Sequence, residues 1–233
     1  MGNHGKKYNN VKERLGEKQS FPMAVAFEKV KDLAFAKFDE SVDVNVNLGI
    51  NATKSDQSVR GSVLLPHGKG KRVFVVVFTK GKYAEMAEKA GADLVGAEDL
   101  IEKIQNGWLD FDHAIATPDM MGAVGQLAKL LGPRRLLPNK KDGTVTFEVG
   151  SVVTSLKSGL AFFKNDKQGI IHFSIGKRSF SIENLRENLM ALIKSVIAAK
   201  PPKVKGIYLK KITISSTMGP GISLMTDEFM RSA

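Results

Sequence analysis

Apolar and polar residues alternate most regularly between positions 42 and 50. Valine, leucine and isoleucine occupy every second position there, with Asp43, Asn45 and Asn47 between them. Because successive side chains of a strand point to opposite faces, this pattern predicts a strand with one buried face and one wet face. A shorter apolar group at 63–65, stopped by a proline, predicts a second strand.

The residues before this strand contain one clear helical pattern. Residues 1–20 are polar and charged, and they are predicted to form a basic, weakly ordered arm. Ser20-Phe21-Pro22 is typical of a helix start, because proline is tolerated in the first turn. Apolar residues follow at helical spacing over 27–34, and the helix is expected to end near Lys37-Phe38.

The pattern changes after a flexible basic link at 67–71. Residues 73–78 form a continuous apolar run, as expected of a strand buried on both faces. Helix and strand patterns then alternate, and a helix of about three turns begins at Asp119 and ends at Gly132-Pro133. This alternation predicts a parallel, three-layer α/β unit. The other elements predicted in this stretch are helices at 83–90 and 98–105 and strands at 93–95 and 113–116.

The last third of the chain has a strand–helix–strand pattern. Such a unit is not a complete small domain, and neither is the first third with its one helix and two strands. Together they would form a four-stranded, two-helix α+β sandwich. The predicted fold class is therefore α/β and α+β, with a discontinuous split β-α-β domain at 1–66 and 160–233 and an inserted α/β domain at 67–159. The predicted elements of the last third are a strand at 169–175, a helix at 182–199 and a strand at 207–216.

The charge of the chain favours polyanionic partners. There are 35 Lys and Arg against 24 Asp and Glu, a net charge of +11, and residues 159–233 hold 12 of the basic but only 5 of the acidic residues. Such a surplus favours nucleic acid or an anionic membrane surface, although many soluble enzymes are also basic. No apolar run approaches the roughly 20 residues that span a bilayer, and the N-terminus has no apolar core of a signal peptide. A cytoplasmic protein without a membrane partner is expected.

The sequence offers little support for catalytic, metal or cofactor chemistry. There is no cysteine, which excludes disulfides, Cys-ligated zinc and thiol nucleophiles. Residues 169–177 end in Gly-Lys, but the spacing is wrong for a P-loop, and Arg178 follows instead of Ser or Thr. Gly219-Pro220-Gly221 lacks the third glycine of a dinucleotide fingerprint. The four histidines are scattered, so no metal site, no cofactor and no catalytic residue are predicted.

RNA binding agrees better with the sequence. Residues 215–221 end a predicted strand with small, backbone-exposing residues, which can approach a sugar-phosphate surface and its 2′-hydroxyls. An ordinary Gly-Pro turn is the alternative. Clustered cations of the last third can neutralise phosphates. These cations are Lys164, Lys167, Lys177, Arg178, Lys203, Lys205, Lys210 and Lys211.

A series of short segments between about residues 22 and 221 resembles the bacterial ribosomal protein L1 family, the proteins of the mobile ribosomal stalk. The segments occur in family order, and their combination is far more specific than any one of them. They are Glu40–Val44, Leu48–Ile50, Val59–Gly61, Leu65–Gly68, Val73–Thr79, Ala90–Ala92, Gly125–Leu127, Leu131–Arg134, Leu137–Asn139, Gly143–Thr146, Asn165–Lys167, Gly169–His172, Ile175–Lys177 and Ser216–Gly219.

The resemblance implies a two-domain fold with a Rossmann-like second domain and a non-enzymatic role. It implies a monomer within the large ribosomal subunit that binds the stalk junction of large-subunit ribosomal RNA, mainly through domain one. It also implies that the protein helps deacylated tRNA leave the E site, and that it can repress translation by binding its own messenger RNA. Two departures from the family pattern lie in domain two: Arg135 stands in place of Gly, and Lys140 in place of Pro.

The resemblance also implies which residues contact RNA. Lysine supplies charge for phosphates, Phe38 an apolar plate, and Ser and Thr reach 2′-hydroxyls. Phe38 and Met218 could instead belong to the core. The residues that match the family are Lys37, Phe38, Asp166, Lys167, Gly169, His172, Ser215, Thr217, Met218 and Gly219. Lys164 and Lys177 complete the predicted RNA-binding set by their charge.

Two other functions are compatible with parts of the sequence. The α/β insert could carry an enzyme, but it contains no catalytic constellation. The chain could also be a general RNA chaperone that acts outside the ribosome. Sedimentation with the large subunit would distinguish this second alternative from a ribosomal protein.

Overall fold

The computed structural model describes residues 5–16 and 20–230. The chain divides into two compact units, with boundaries after Gly70 and after Leu160. The fold class is the mixed α/β architecture predicted above: the first unit is built from both ends of the chain, and the second is inserted between them. No helix in the described ranges is long and apolar enough to span a bilayer.

The helices and strands are numbered here along the chain. They are α1 Lys6–Leu15, β1 Ser20–Phe21, α2 Met23–Leu33, β2 Ser41–Leu48, β3 Arg60–Leu64, β4 Val75–Phe78, α3 Lys82–Lys89, β5 Leu94–Gly96, α4 Glu98–Gln105, β6 His113–Ala116, α5 Met121–Val124, α6 Ala128–Leu131, α7 Val149–Lys157, β7 Leu160–Lys164, β8 Ile170–Lys177, α8 Ile182–Ala198, β9 Leu209–Ser216, β10 Ile222–Leu224 and α9 Asp227–Met230. Short 3₁₀ turns lie at Ser55–Gln57, Pro118–Met120, Gly125–Leu127 and Lys140–Asp142.

A five-stranded sheet forms the centre of the first unit. Its strand order is β1-β10-β9-β2-β8; β1 is parallel to β10, and the other neighbouring pairs are antiparallel. The alternation predicted for β2 is confirmed, because Val42, Val44 and Val46 are completely buried while the polar residues between them are partly exposed. Helices α2 and α8 pack against the buried face, which leaves the other face open to solvent.

The second unit is a parallel sheet with helices on both faces. Its strand order is β5-β4-β6, and all of its pairs are parallel. Every residue of β4 is completely buried, which confirms the prediction of a strand covered on both sides. Val76 and Phe78 pack with α4 and the helical segments at 118–131. Helix α7, together with α3, covers the opposite face, so the unit has three layers.

The prediction for the N-terminus is wrong in part. Residues 1–20 are expected to be weakly ordered, yet residues 6–15 form α1, which contacts α2 and buries Val11 in the core. Helices this short are stabilised mainly by tertiary packing, so the local sequence does not reveal that they form. Residues 1–4 and 17–19 of the predicted arm lie outside the described residues.

The first predicted helix differs from α2 at both ends. Ser20-Phe21 does not start the helix, because it pairs in parallel with Ser223-Leu224. The helix begins at Met23 and ends at Leu33, so Lys37 and Phe38 lie in the loop that follows. Pairing with a strand near the other end of the chain leaves no local pattern in the sequence, and this pairing decides the N-terminal boundary of α2.

Two other predicted elements need correction. The main sheet has five strands instead of four, and β3 pairs with β7 in a separate two-stranded sheet. The helix predicted from Asp119 to Gly132 is a series of short α and 3₁₀ segments. Gly122 and Gly125 lie within it, and each glycine costs a helix about 1 kcal/mol relative to alanine.

One buried amide on α8 fixes the segment that leaves the first unit. Asn188 is completely buried, and its Oδ1 accepts a hydrogen bond from the backbone N–H of His67 at 3.1 Å. Its Nδ2 donates to the carbonyl oxygens of Gly68 at 3.0 Å and Ile175 at 2.7 Å. An amide carries both donors and an acceptor, so this one side chain satisfies three backbone groups at once.

We expect Asn188→Leu to lower the free energy of unfolding by about 2–3 kcal/mol, because it leaves backbone groups in contact with an apolar side chain and without partners. Urea denaturation followed by circular dichroism measures this change. Lys194→Leu, at an exposed position of the same helix, is the control and should change the stability by less than about 0.5 kcal/mol. Equal stability of the two variants would contradict the role of the amide.

Candidate nucleic-acid interface

The open face of the five-stranded sheet carries a line of polar side chains. Ser20, Ser223, Thr213, Asn45 and His172 follow one another in register from β1 to β8. Residues directly opposite each other on neighbouring strands point to the same face, so the five side chains form one line. A second line contains Ser215, Asp43 and Ser174, and a third contains Lys211, Asn47 and Ile170. These three lines together are called the polar face.

Glu40 joins three loops at the end of the sheet where β2 begins. Its carboxylate accepts hydrogen bonds from the backbone N–H groups of Ala36 at 2.7 Å and Met218 at 3.1 Å. Its own carbonyl accepts a bond from the N–H of Arg178 at 2.8 Å. The residue has no exposed surface, so the bonds are shielded from water. The joined segments, called the loop end, are 36–41, 177–178 and 215–219.

The charge of Glu40 is stabilised by its surroundings. Burial, the largest single influence, raises the pKa of this carboxyl. The Ser216 hydroxyl, the backbone N–H groups of Ala36 and Met218, and the positive charge of Arg178 act in the opposite direction. Together they hold the pKa below its ordinary value of 4.5. Glu40 is therefore ionised at neutral pH and binds its backbone donors as a carboxylate.

The hydroxyl of Thr217 lies beside the first residue of β2. Its Oγ1 accepts a hydrogen bond from the backbone N–H of Ser41 at 2.9 Å. The Ser41 hydroxyl in turn accepts one from Nζ of Lys177 at 2.9 Å. Thr217 is exposed, and Ser41 and Lys177 are partly exposed. The loop end thus presents hydroxyls and an ammonium group to solvent in one small area.

Two large apolar side chains of the loop end are exposed. Phe38 is 55% exposed and Met218 is 50% exposed, and neither belongs to the core. Glu40 binds the backbone N–H of Met218 and that of Ala36, which lies two residues before Phe38. Gly219 permits the sharp path of the chain after Met218, because a Cβ at this position would lie 2.5 Å from Oγ of Ser216.

A tight turn before β8 arranges Asp166 and His172. Asp166 Oδ1 accepts hydrogen bonds from the backbone N–H groups of Gln168 and Ile170, both at 2.8 Å. The bond from Ile170 is the main reason why the pKa of Asp166 lies below its usual value. Asp166 Oδ2 lies 3.4 Å from His172 Nε2, and His172 Nδ1 lies 2.6 Å from Oδ1 of Asn45. The carboxylate shapes the turn, and the short contact with Asn45 holds the imidazole ring on the polar face.

Two further residues hold this turn against the sheet. Gly169 is buried with a positive φ of 81°, and its carbonyl accepts a hydrogen bond from Leu48 N–H at 3.0 Å. A side chain there would be strained and would crowd Ile50. Asn165 is buried; its Oδ1 accepts from the N–H of Val59 at 2.7 Å. Gly169 and Asn165 therefore position the turn without being available for contact.

All predicted RNA-binding residues except Lys164 lie along one strip, most of them in two groups at its ends. The strip runs along β2 and β8 for roughly 20 Å, at the usual rise of about 3.3 Å per residue. Lys164 is exposed at the end of β7, which belongs to the separate two-stranded sheet. The loop end holds Lys37, Phe38, Lys177, Ser215, Thr217, Met218 and Gly219, the turn holds Asp166, Lys167 and Gly169, and His172 lies between them.

Sequence reasoning missed several residues that build this strip. Glu40 and Ser41 appear in the sequence only as part of a matching segment, and Thr213 and Asn45 only as polar positions in strands. The alternation in β2 could have indicated the polar face, since it places Asp43, Asn45 and Asn47 on the same, solvent-exposed side of the strand. Nothing local indicates that Glu40 is buried, because its hydrogen-bond partners are brought to it by the fold.

The polar face ends in a shallow groove at its β1–β10 side. The groove has a volume of about 450 Å³ and is open to solvent. Lys210, Lys211, Ser20, Ser223 and Thr226 supply its polar lining. Cations and hydroxyls therefore continue the chemistry of the polar face as far as this sheet edge. In the described ranges, no group of three or more His, Asp or Glu could hold a metal ion.

Comparison with known protein families matches residues 30–220 to the ribosomal protein L1p/L10e family. The chain belongs to the ribosomal protein L1p/L10e family. Members of the L1 family are structural, non-enzymatic proteins of the large ribosomal subunit that bind ribosomal RNA. The match includes β2, β8, β9, the turn before β8 and the loop end, whereas β1 and β10 at the edge of the polar face lie outside it.

We expect Glu40→Gln to lower the free energy of unfolding of this L1-family protein by about 1–3 kcal/mol, because the amide nitrogen of Gln faces one of two buried N–H donors and leaves it unpaired. Chemical denaturation at pH 7 measures the loss. Glu28→Gln, at an exposed position of α2, is the matched control. A loss no larger than that of the control would show that the bridge contributes nothing.

The pH dependence of stability provides a separate test of Glu40. Its pKa is lower in the folded state than the ordinary value of 4.5, so ionisation stabilises the fold above about that pH. This contribution is lost as the pH falls through the folded-state pKa. Stability measured from pH 7 to pH 3 should fall less steeply in Glu40→Gln than in the parent protein. The same slope of stability against pH in both proteins would contradict the lowered pKa of Glu40.

Proposed function

We propose that this chain binds the stalk junction of large-subunit ribosomal RNA through the strip formed by the loop end, the polar face and the turn before β8. The observation that carries the proposal is the Glu40 bridge. It joins two loops from distant parts of the chain, one with the exposed Phe38 and the partly exposed Ser41, the other with the exposed Met218 and Thr217. Single exposed apolar side chains are common on protein surfaces, so it is the position of these two beside the hydroxyls and the lysines of the loop end that favours a partner.

The chemistry of the strip suits an RNA surface. The minor groove of an A-form helix is wide and shallow and displays 2′-hydroxyls, which donate and accept hydrogen bonds. The polar face offers serine and threonine hydroxyls and asparagine amides in register, at the spacing of neighbouring strands. Such an array can bond to successive riboses, while an apolar face could not.

The cations lie at the margins of the strip. Lys37 and Lys177 are at the loop end, Lys167 is in the turn, and Lys210 and Lys211 line the groove at the sheet edge. This placement suits phosphates that flank a groove read by hydroxyls in the middle. Phe38 and Met218 then serve as apolar contacts for an unstacked base or a ribose face.

Asp166 and Gly169 act indirectly in this proposal. Asp166 is negatively charged and would repel phosphates, and its oxygens are occupied by the turn and by His172. Gly169 is buried. Both place Lys167 and His172 correctly, so changes at these two positions should weaken RNA binding by disturbing the turn.

The finer parts of the function follow from the family resemblance. We propose that the protein belongs to the bacterial branch, that residues 1–66 and 160–233 bind ribosomal RNA, and that the insert at 67–159 assists release of deacylated tRNA from the E site. We further propose that the protein represses translation by binding a similar fold in its own messenger RNA. An RNA of that fold should compete with the ribosomal fragment for the same strip.

We expect Met218→Asp to weaken binding to a stalk-junction RNA fragment by at least about 1 kcal/mol, because it replaces an apolar contact by a charge that repels phosphate. Filter binding measures the affinity. Met86→Asp is the control, since Met86 has the same exposure (51%) in the other unit. Equal affinities of the two variants would contradict the assignment of Met218 to the RNA-binding strip.

Thr217→Val should also weaken this binding by at least about 1 kcal/mol, since it removes a hydroxyl from the strip. Thr217→Ser keeps the hydroxyl and should bind nearly as well as the parent. Because Thr217 also bonds to Ser41, circular dichroism must show both variants folded. Full affinity in Thr217→Val would mean that the hydroxyl is not used for RNA.

The affinity should fall steeply with salt, because each phosphate contact made by a lysine releases counterions. With about four to six such contacts, the slope of log K against log salt is expected to be roughly −3 to −5. Titrations between low and high potassium chloride give the slope. A flat response would mean that the charge of the strip is incidental.

A further inference from the structure

The loop end of the first unit carries an exposed thioether. Met218 is 50% exposed and lies in the loop that follows β9. The chain has nine methionines and no cysteine, so methionine supplies all of its side-chain sulfur. A two-electron oxidant that reaches such a sulfur converts it to methionine sulfoxide, which turns a flexible apolar side chain into a polar one.

The methionines of the chain differ in their access to solvent. Met23 and Met120 are buried, at 7% and 5% exposure, and an oxidant in solution does not reach them in the folded protein. Met86 (51%) and Met225 (43%) are exposed like Met218. Met86 belongs to the second unit, and Met225 lines the groove at the sheet edge. Met218 is the methionine of the loop end, and the other two exposed methionines serve as internal references.

Hydrogen bonds hold the backbone at Met218 and at both of its neighbours. The N–H of Met218 donates to the buried carboxylate of Glu40 at 3.1 Å. Before it, Oγ1 of Thr217 accepts from the N–H of Ser41 at 2.9 Å. After it, the N–H of Gly219 donates to the carbonyl oxygen of Ser216 at 3.2 Å. A chemical change of the Met218 side chain therefore alters the surface of the strip at a defined place.

Oxidation would reverse the chemical character of the Met218 contact. A thioether is polarisable and only a weak hydrogen-bond acceptor, so it packs readily against a ribose or a base. The sulfoxide oxygen is strongly hydrated, accepts hydrogen bonds and donates none. An RNA surface is rich in acceptor oxygens, and its phosphates repel the negative end of the S–O dipole. The sulfoxide would thus lose its water on binding without a matching gain, which is costly.

We propose that Met218 is a site of reversible oxidation, and that its sulfoxide weakens RNA binding by the strip. The inference rests on the proposed function and adds a form of regulation to the same surface. The oxidant is a peroxide: the sulfur lone pair attacks one peroxide oxygen, the S–O bond forms and the O–O bond breaks. Sulfur loses two electrons, and hydrogen peroxide is reduced to water. A methionine sulfoxide reductase restores the thioether with electrons from a thiol.

The modification acts on the protein before it binds RNA. In the proposed complex the RNA covers Met218, so the oxidant no longer reaches its sulfur. Met86 lies in the other unit and has the same exposure in the free protein. Saturating stalk-junction RNA should therefore slow the oxidation of Met218 by hydrogen peroxide at least about five-fold relative to that of Met86, measured by mass spectrometry of proteolytic peptides. Equal slowing of both methionines, or of neither, would overturn the proposal.

Two variants assign the effect of peroxide to one sulfur. Each full-length protein is compared with its own untreated sample by filter binding to the stalk-junction fragment. The treated parent should lose at least about five-fold in affinity, because the apolar contact becomes polar. Met86→Leu/Met225→Leu, which keeps Met218, should lose as much as the parent. Met218→Leu, which keeps the other two exposed methionines, should change less than about two-fold on treatment.

Three results would overturn the proposal. The first is full affinity of a treated parent in which mass spectrometry shows Met218 sulfoxide. The second is an equal loss in Met218→Leu, which would place the damage elsewhere in the chain. The third is an unoxidised Met218 under conditions that oxidise Met86.

Reversal gives a further readout. Methionine sulfoxide reductases A and B with dithiothreitol should return the treated parent to within about two-fold of its untreated affinity, since one enzyme acts on each sulfoxide epimer. Circular dichroism must show the same fold before and after treatment. Affinity that stays low after mass spectrometry shows the thioether restored would contradict a reversible site.

Failure of this inference can be distinguished from failure of the proposed function. If untreated Met218→Asp binds the stalk-junction fragment as well as untreated Met86→Asp, the strip is not the binding surface at Met218, and both proposals fail there. If Met218→Asp loses affinity while the Met218 sulfoxide does not, the proposed function stands, and only the inference about oxidation fails.

Discussion

The buried carboxylate of Glu40 is the constraint on which the candidate interface depends. It connects the loop after α2 with the loop after β9, whose bonded residues are 178 positions apart in the chain. A neutral side chain could not accept both N–H donors equally well, and an unpaired carboxylate at this depth would be costly. The cost is offset because several donors converge on it. Phe38 and Met218 therefore stand on a common, ordered base.

The sheet contributes the second half of the interface through the simple periodicity of its strands. The apolar positions of β2 bury the core under α2 and α8, and the alternate positions must then face solvent. Register between the strands turns these positions into three lines, one of which crosses all five strands. The lines hold mostly hydroxyls and amides, together with His172, Asp43, Lys211 and Ile170. The folding requirement of one face thus produces a polar surface on the other. A polar surface of this kind is suited to the shallow groove of an RNA helix.

The two units show different relations between charge and structure. In the second unit, Lys71, Lys80 and Lys157 form ion pairs with acidic side chains. In the first unit, the acids near the strip are occupied with hydrogen bonds that shape loops, as Asp39 is with Ser179 and Asp166 with its turn. These two acids therefore help to shape the loops beside the strip.

Sequence patterns predicted much of this protein because the core elements are periodic. The β2 strand, the buried β4 strand, α4, β6 and α8 follow directly from apolar spacing, and the fold class follows from their order. Elements that depend on distant partners were missed: β1 needs β10, and α1 needs α2 to bury Val11. For the candidate site, the sequence indicated residue types and two of the segments, since charge, glycine and hydroxyl content are local properties.

By itself, the amino-acid sequence determined that the chain folds as a basic, discontinuous α/β protein with a polar strand face. The tertiary structure alone decided that Glu40 is buried and that Phe38 is exposed. It also decided that Asp166 orients His172, and that the loop end and the turn lie at opposite ends of one strip. The physical reason is that burial, hydrogen-bond pairing and strand register are relations between residues far apart in the chain, which no local pattern contains.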